Sequence, residues 1–192
     1  MTNDRVLEVL KEAEVLLEGH FLLTSGRHSN RYMQCAKIFQ YTKYSEELCA
    51  ALAEKFAHAG VELVIGPAIG AIQMAYEVSR ALGVKNIFAE RDSEGVMALR
   101  RSFTIEPGQK VLIVEDVVTT GGSVKEVIEI VKALGGEVVG IGAIVDRSAG
   151  KVDFGARFES VLSIEIQSFD AKECPMCKEG SAVVKPGSRK IS

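Results

Sequence analysis

Glu115 and Asp116 stand side by side at the end of an apolar run, Val111-Leu112-Ile113-Val114. Val117 and Val118 follow, then Thr119-Thr120-Gly121-Gly122-Ser123. Adjacent carboxylates can accept hydrogen bonds from neighbouring sugar hydroxyls. A hydroxyl- and glycine-rich turn opening a helix offers free backbone N–H groups and the positive end of the helix dipole, which suits phosphate. The pair and the turn together suit a phosphorylated sugar. The plainer reading, solvated acids at a strand end, loses ground because the phosphate-type loop follows them directly. The stretch lacks both the G-x-x-x-x-G-K-[ST] and the G-x-G-x-x-G spacing, so neither a P-loop nucleotidase nor a dinucleotide enzyme is supported.

Further candidates occur at similar places. Gly66-Pro67-Ala68-Ile69-Gly70-Ala71 follows a short apolar run, where small residues permit close ligand approach or simply mark a strand-to-helix turn. Arg91 to Arg101 (RDSEGVMALRR) is a charged, glycine-containing segment with no clean period, of the kind that forms a mobile lid. Asp146-Arg147 closes another apolar run, with a surface salt bridge as the alternative role for Arg147. Arg27, His28 and Arg31 make the segment 20–36 locally basic, for an anionic ligand or as a solvated hairpin.

The elements that must position these residues follow from periodicity. Residues 3 to 18 predict a helix capped by Asn3 or Asp4 and stopped by Gly19, and 20–36 a strand, turn and strand with Thr24-Ser25-Gly26-Arg27 at the turn. Helices are expected from Thr42 to about Ala59, on to about Leu82, and from Gly122 to Leu134. Strands are expected at 62–65, 86–90, 111–114, 138–145 and 161–166, with a polar tail from Phe169. This alternation implies an α/β fold with a mainly parallel sheet flanked by helices on both faces. Ligands bind at the carboxyl ends of such strands, and the segments 66–71, 91–101, 115–123 and 146–147 all follow strands.

The 192 residues suffice for one α/β domain with a small appendage. With 47% hydrophobic residues, 26% charged residues and a net charge of −3, the composition gives no reason to propose a nucleic-acid or membrane partner. No apolar run reaches a membrane-spanning length and the N-terminus is acidic and amphipathic, so the cytoplasm is the expected compartment. Cys35, Cys49, Cys174 and Cys177 are too few for a disulfide scaffold. Cys174-Pro-Met-Cys177 is a lone C-x-x-C. Half a zinc site and a redox pair are the sharper readings. Reduced structural thiols are the expectation, because no second C-x-x-C or H-x-x-x-H is present and Cys35 and Cys49 are not spaced to complete a site.

Val111 to Ser123 resembles the thirteen-residue signature of the type I phosphoribosyltransferases, which binds 5-phosphoribosyl 1-pyrophosphate. Phe21 to Ser29 with Tyr32-Met33-Gln34 resembles the N-terminal hood of the orotate-using members. Gly66-Pro67-Ala68 resembles their pyrophosphate-side turn, and Asp146-Arg147 their Asp-Arg pair beside orotate. The resemblance covers residues from about 15 to 150, and the tail with Cys174, Cys177 and Pro186-Gly187-Ser188-Arg189 looks like tails in some members. It implies a single type I phosphoribosyltransferase domain over 1–192, with a hood over about 1–40, a core over 41–168 and a tail over 169–192. It implies transfer of ribose 5-phosphate to orotate in pyrimidine biosynthesis, Mg²⁺ bound mainly through phosphoribosyl pyrophosphate with no direct protein ligand assigned, and a homodimer. Arg91 and Asp116 become the catalytic groups. Arg91, Glu115, Asp116, Val117, Val118, Thr119, Thr120, Gly121, Gly122 and Ser123 would hold phosphoribosyl pyrophosphate, and Thr119, Arg147 and Tyr32 would hold orotate. The chain departs from the common pattern in carrying Thr24 before Ser-Gly-Arg, Ile69-Gly70 after Gly-Pro-Ala, and only Arg91, Arg100 and Arg101 as cations of the charged loop. Two readings follow: arginines in place of lysines, or another acceptor such as a purine. A non-catalytic regulator sensing phosphoribosyl pyrophosphate is the remaining class, and the short acidic N-terminal extension argues against it.

Overall fold

A computed structural model of the chain describes residues 1–23 and 26–186. Thr24 and Ser25 of the predicted turn, and Gly187, Ser188 and Arg189 of the tail, lie outside the described residues. The elements in order are α1 (Asn3–Glu12), β1 (Leu16–Leu22), β2 (His28–Met33), a 3-10 helix (Cys35–Gln40), α2 (Thr42–Lys55), β3 (Leu63–Pro67), α3 (Ile72–Leu82), β4 (Lys85–Arg91), β5 (Met97–Leu99), β6 (Lys110–Val118), α4 (Gly122–Ala133), β7 (Glu137–Asp146), β8 (Phe158–Ser163) and α5 (Pro175–Lys178).

Six strands form one sheet in the order β5-β4-β3-β6-β7-β8, and β1 pairs with β2 as a separate antiparallel hairpin. All neighbours in the larger sheet are parallel except β4 and β5. β6 sits inside the sheet, which explains its uninterrupted apolar run. Leu112 and Val114 face a core shared with α1, α2 and α3, whereas Val111 and Ile113 face a second core shared with α4. A strand buried on both faces needs apolar side chains at every position, not at alternate ones. Gly140 and Gly142 of β7 let α2 approach closely, since a Cβ at Gly140 would stand 2.4 Å from Phe56 and one at Gly142 2.9 Å from Leu52.

Several boundaries differ from the sequence expectation. α1 is capped by Thr2, whose side chain accepts from Arg5 N–H, and stops at Glu12. Glu14 takes a φ of 52°, which reverses the chain without glycine, and Leu16 and Leu17 pass into β1. Gly19 therefore lies within a strand. A 3-10 helix occupies residues assigned to the end of the second hood strand, and the last core strand begins at Phe158, earlier than expected. The segment 91–101, expected as a lid, contains a hairpin: β5 pairs antiparallel with β4. Its turn is held by Asp92, whose Oδ1 accepts from Glu94 N–H and Val96 N–H.

The hood hairpin is joined to the tail by backbone pairing. His28 and Phe169 exchange N–H···O=C bonds of 2.9 and 2.8 Å. Val184 N–H donates to His20 O, and Leu22 N–H to Val184 O, both at 2.8 Å. His20 and His28 are consequently buried, at 5% and 7% exposure, whereas Arg27 is exposed and Arg31 partly so, so the hairpin is solvated on one side only.

Candidate active site

β6 runs three residues beyond the acidic pair's first member, with Val117 opposite Val145 and Val118 opposite Asp146. Glu115 and Asp116 thus lie within the last part of the strand, half-buried, and Val117 and Val118 remain in its ladder. Asp116 N–H donates to Glu115 Oε1 at 3.2 Å and Val117 N–H to Asp116 Oδ1 at 2.8 Å. Burial, and then the adjoining Asp116, push the Glu115 carboxyl up to about 9. Burial also raises the Asp116 carboxyl. Desolvation penalises the charged form, and two adjacent carboxylates resist ionising together. The Gly66–Ala71 turn reaches the same place: a Cβ at Gly70 would stand 3.3 Å from Asp116 Oδ2.

Beyond Val118 the chain turns through Thr119 and Thr120 into α4. Gly121 holds a φ of 74°, and a Cβ there would meet Phe154 Cε1 at 2.6 Å, so glycine is required for both conformation and space. No side chain caps the helix. Its first intrahelical bond is Lys125 N–H to Gly121 O, which leaves the N–H groups of Gly122, Ser123 and Val124 without an intrahelical acceptor. Those groups lie beside the hydroxyl-bearing Thr119, Thr120 and Ser123, a donor set suited to an anion.

β7 delivers Arg147 to the adjoining strand end. Asp146 fixes the turn: its Oδ1 accepts from Ser148 N–H at 2.7 Å and Ser148 Oγ at 2.6 Å, and its Oδ2 from Gly150 N–H at 3.1 Å. Arg147 N–H donates to Val118 O at 2.8 Å, tying the turn to β6. The Arg147 guanidinium itself makes no ion pair among the described residues, and its Nε is buried without a hydrogen-bond partner. Burial lowers its pKa from the usual arginine value. The sequence alternative of a surface salt bridge is not observed. Arg147 and Thr119 share an open cleft of about 570 Å³, together with Ser148, Lys151, Gln167 and Phe169. Tyr32 lies close enough to raise the Arg147 pKa electrostatically, as does Cys35. Cys35 is buried, and burial, with Asp116 next in importance, holds its thiol well above the usual range.

Thr119 and Arg147 are therefore brought together in the cleft, and the acids and the start of α4 adjoin them along β6, whereas Tyr32 does not line the cleft and donates from its hydroxyl to Gln34 Oε1. Arg91 is placed elsewhere. Its Nη2 donates to Glu126 Oε2 on α4 at 2.7 Å and its Nη1 to Gly95 O at 2.6 Å, and it does not line the cleft. Arg101 is paired with Glu90 at 3.0 Å. Sequence reasoning placed Glu165 and Ile166 in the last strand but missed that they and Gln167 to Phe169 form a wall of the cleft. It missed Lys151 as well. The alternation Ile164-Glu165-Ile166-Gln167 after β8 was the available signal, since it turns Ile164 and Ile166 to the core.

An uncapped helix start, a strand-end acid pair and an open cleft thus lie together at one end of the sheet. The family model described as the phosphoribosyl transferase domain matches residues 38–176. An orotate phosphoribosyltransferase of Caldanaerobacter subterraneus subsp. tengcongensis is 59% identical over 191 residues, covering 100% of both chains. One from Thermotoga maritima is 50% identical over 184 residues, covering 96% of this chain and 98% of its own. Among solved structures, orotate phosphoribosyltransferase from Aeropyrum pernix superposes with a TM-score of 0.71 at 25% identity, over 83% of this chain and 93% of that one. The chain belongs to the phosphoribosyl transferase domain family and, by its full-length relatives, to the orotate phosphoribosyltransferases within it.

Proposed function

We propose that this chain transfers the ribose 5-phosphate group of 5-phosphoribosyl 1-pyrophosphate to orotate, giving orotidine 5′-monophosphate and pyrophosphate in pyrimidine biosynthesis. The observation that carries this reading is the unpaired Arg147 guanidinium, held at the cleft beside the uncapped start of α4. A buried guanidinium donor without a partner is costly, and a planar carboxylate satisfies it bidentately. Orotate carries such a carboxylate. Full-length relatives named for that substrate support the same acceptor. Neighbours named adenine phosphoribosyltransferase are under 25% identical, share the fold alone and give no weight to a purine acceptor.

In this reading Thr119, Thr120, Gly121, Gly122 and Ser123 hold the 5′-phosphate on N–H and hydroxyl donors. Glu115 and Asp116 accept hydrogen bonds from the ribose hydroxyls, and once a cation and the sugar offset the burial that holds the Glu115 proton, the charge of the pair favours the cationic character that develops at the anomeric carbon. Arg147 orients orotate through its carboxylate, with Thr119 and Tyr32 beside it, so that the ring nitrogen meets the anomeric carbon in line. The donor set of the acid pair is all oxygen, and a divalent cation would offset the burial that raises both carboxyls and the Asp116 charge that adds to the rise at Glu115, so Mg²⁺ arriving with phosphoribosyl pyrophosphate fits. When bound it supplies neutralisation of pyrophosphate charge. Arg91 serves pyrophosphate after exchanging Glu126 for it, in its own site or across a homodimer. Hood, core and tail act as one domain in the cytoplasm. Among the described residues no helix is long and apolar enough to cross a membrane. The test is incubation of the purified chain with orotate, phosphoribosyl pyrophosphate and Mg²⁺. Conversion of orotate to its nucleotide is expected, and unchanged orotate in the presence of folded protein overturns the reading.

A further inference from the structure

We propose that His20, His28, Cys174 and Cys177 bind one Zn²⁺ ion in a closed tetrahedral site that fastens the tail to the hood. The site stands apart from the cleft, and it stands whether or not the acceptor is orotate. His20 lies on β1 and His28 at the start of β2, so the hairpin brings both rings together across the pair. The two cysteines, 154 and 149 residues beyond their histidine partners, flank the first turn of α5, where C-x-x-C spacing turns both thiols to one side.

The four donor atoms are His20 Nε2, His28 Nδ1 and the two Sγ atoms, all within 4.8 Å of one another. His20 Nε2 lies 2.8 Å from His28 Nδ1, 3.5 Å from Cys174 Sγ and 3.6 Å from Cys177 Sγ. Cys177 Sγ lies 3.3 Å from His28 Nδ1. Bonds of about 2.05 Å to nitrogen and about 2.3 Å to sulfur around a tetrahedral ion require donor separations of roughly 3.3–3.8 Å. The observed edges are close to that range, and the shortest, between the rings, needs only a small outward shift.

The second contact of His20 orients it for ligation. Its Nδ1 lies 2.9 Å from Ser181 O. A carbonyl oxygen can only accept, so Nδ1 carries the hydrogen and the Nε2 lone pair faces the cluster. Burial points the same way: His20, His28 and Cys174 are at 5%, 7% and 0% exposure, while Cys177 is exposed and closes the outer side. Three buried polar groups converge on one point and, apart from the Ser181 contact, on each other. Two imidazoles and two thiols favour Zn²⁺ over oxygen-seeking Mg²⁺ or Ca²⁺, and four protein donors leave no open position, as in a structural site. The ion would lock the His28–Phe169 and His20–Val184 backbone pairs and hence the Gln167–Phe169 wall of the cleft.

The test uses the full chain, untagged, purified under reducing conditions and equilibrated with ZnCl₂ before exhaustive dialysis. Elemental analysis is expected to give one zinc per chain in the wild type and in Cys49→Ala, and near none in Cys174→Ser and His28→Gln. Co²⁺ exchanged into the wild type should show tetrahedral thiolate absorption that Cys177→Ser lacks. Removing zinc should lower Tm by about 5 °C or more, as loss of a tight native-state ligand does. If a variant does not fold, the wild-type stoichiometry and cobalt spectrum still decide. Wild-type protein without stoichiometric zinc, a Cys174–Cys177 disulfide in freshly isolated protein, copper or iron in place of zinc, or zinc retained by a Cys174→Ser, Cys177→Ser double variant overturns the proposal.

Discussion

Replacing Glu115 by glutamine should make the free protein more stable at alkaline pH while reducing turnover. The native carboxyl is raised to about 9 from a usual value of 4.5, first by burial and then by Asp116. A raised native pKa means that the folded state binds this proton more tightly than the unfolded state. Its contribution is full below the unfolded value and is lost as pH rises through the native one, so stability falls across the window from about 4.5 to about 9. At ~1.4 kcal/mol per pH unit, the loss between about pH 6 and pH 8 is at most about 3 kcal/mol. Partial relaxation and solvent access at a half-buried site should leave roughly half of it, or about 3–6 °C in Tm for a chain of this size. Glutamine keeps an Oε1 acceptor for Asp116 N–H and removes the titration. Thermal melts of both proteins across this range, without substrates, provide the assay. The Glu115→Gln curve should be flatter and should lie above the wild type at pH 8, with Asp116 retaining some slope. Parallel curves would show that Glu115 ionises normally and would refute the reasoning. The opposite movement of stability and turnover is expected where like charges are held together for function.

The other expectations concern the cleft, the loop and the hairpin. Arg147→Met should cost about 2–4 kcal/mol of transition-state binding, a ~30- to 1,000-fold loss in kcat/KM for orotate, from a charge-assisted pair; KM for phosphoribosyl pyrophosphate, measured in the same experiment, should hold within about twofold. Gly121→Ala should destabilise by about 2–4 kcal/mol in denaturant melts, from the positive φ and the Phe154 contact. A Cβ at Gly122 meets nothing closer than 3.9 Å, so Gly122→Ala should fold normally and bind phosphoribosyl pyrophosphate more weakly in calorimetry. Arg91→Ala removes an exposed pair with Glu126 and should change stability by under about 1 kcal/mol, while turnover falls. Wild-type turnover in that variant would remove Arg91 from the mechanism.

The core was legible because its strands are short apolar runs and its helices carry clean apolar stripes. Val111 to Val114 read as a buried strand since both of its faces are covered. The site loops were legible because strand ends, acids and glycine-rich turns occur together in sequence. Elements set by tertiary context were not. Leu16 and Leu17 continue the apolar phase of α1, and only the backbone reversal at Glu14 hands them to β1. β5 has three residues, too few for a period, so its pairing with β4, which makes the charged segment a hairpin, was not legible. The cleft wall at Gln167 to Phe169 depends on pairing with His28 far back in the chain. The same separation hid the cluster around Cys174 and Cys177, because the partner histidines lie in the hood and show no ligand spacing of their own.

The most direct measurement is pyrophosphate release from phosphoribosyl pyrophosphate and Mg²⁺ by the wild-type chain, with orotate, uracil, hypoxanthine and adenine offered separately. Release with orotate alone is expected, because only orotate brings a carboxylate to Arg147. Release with a purine and none with orotate would contradict the assignment of Arg147 and of the acceptor.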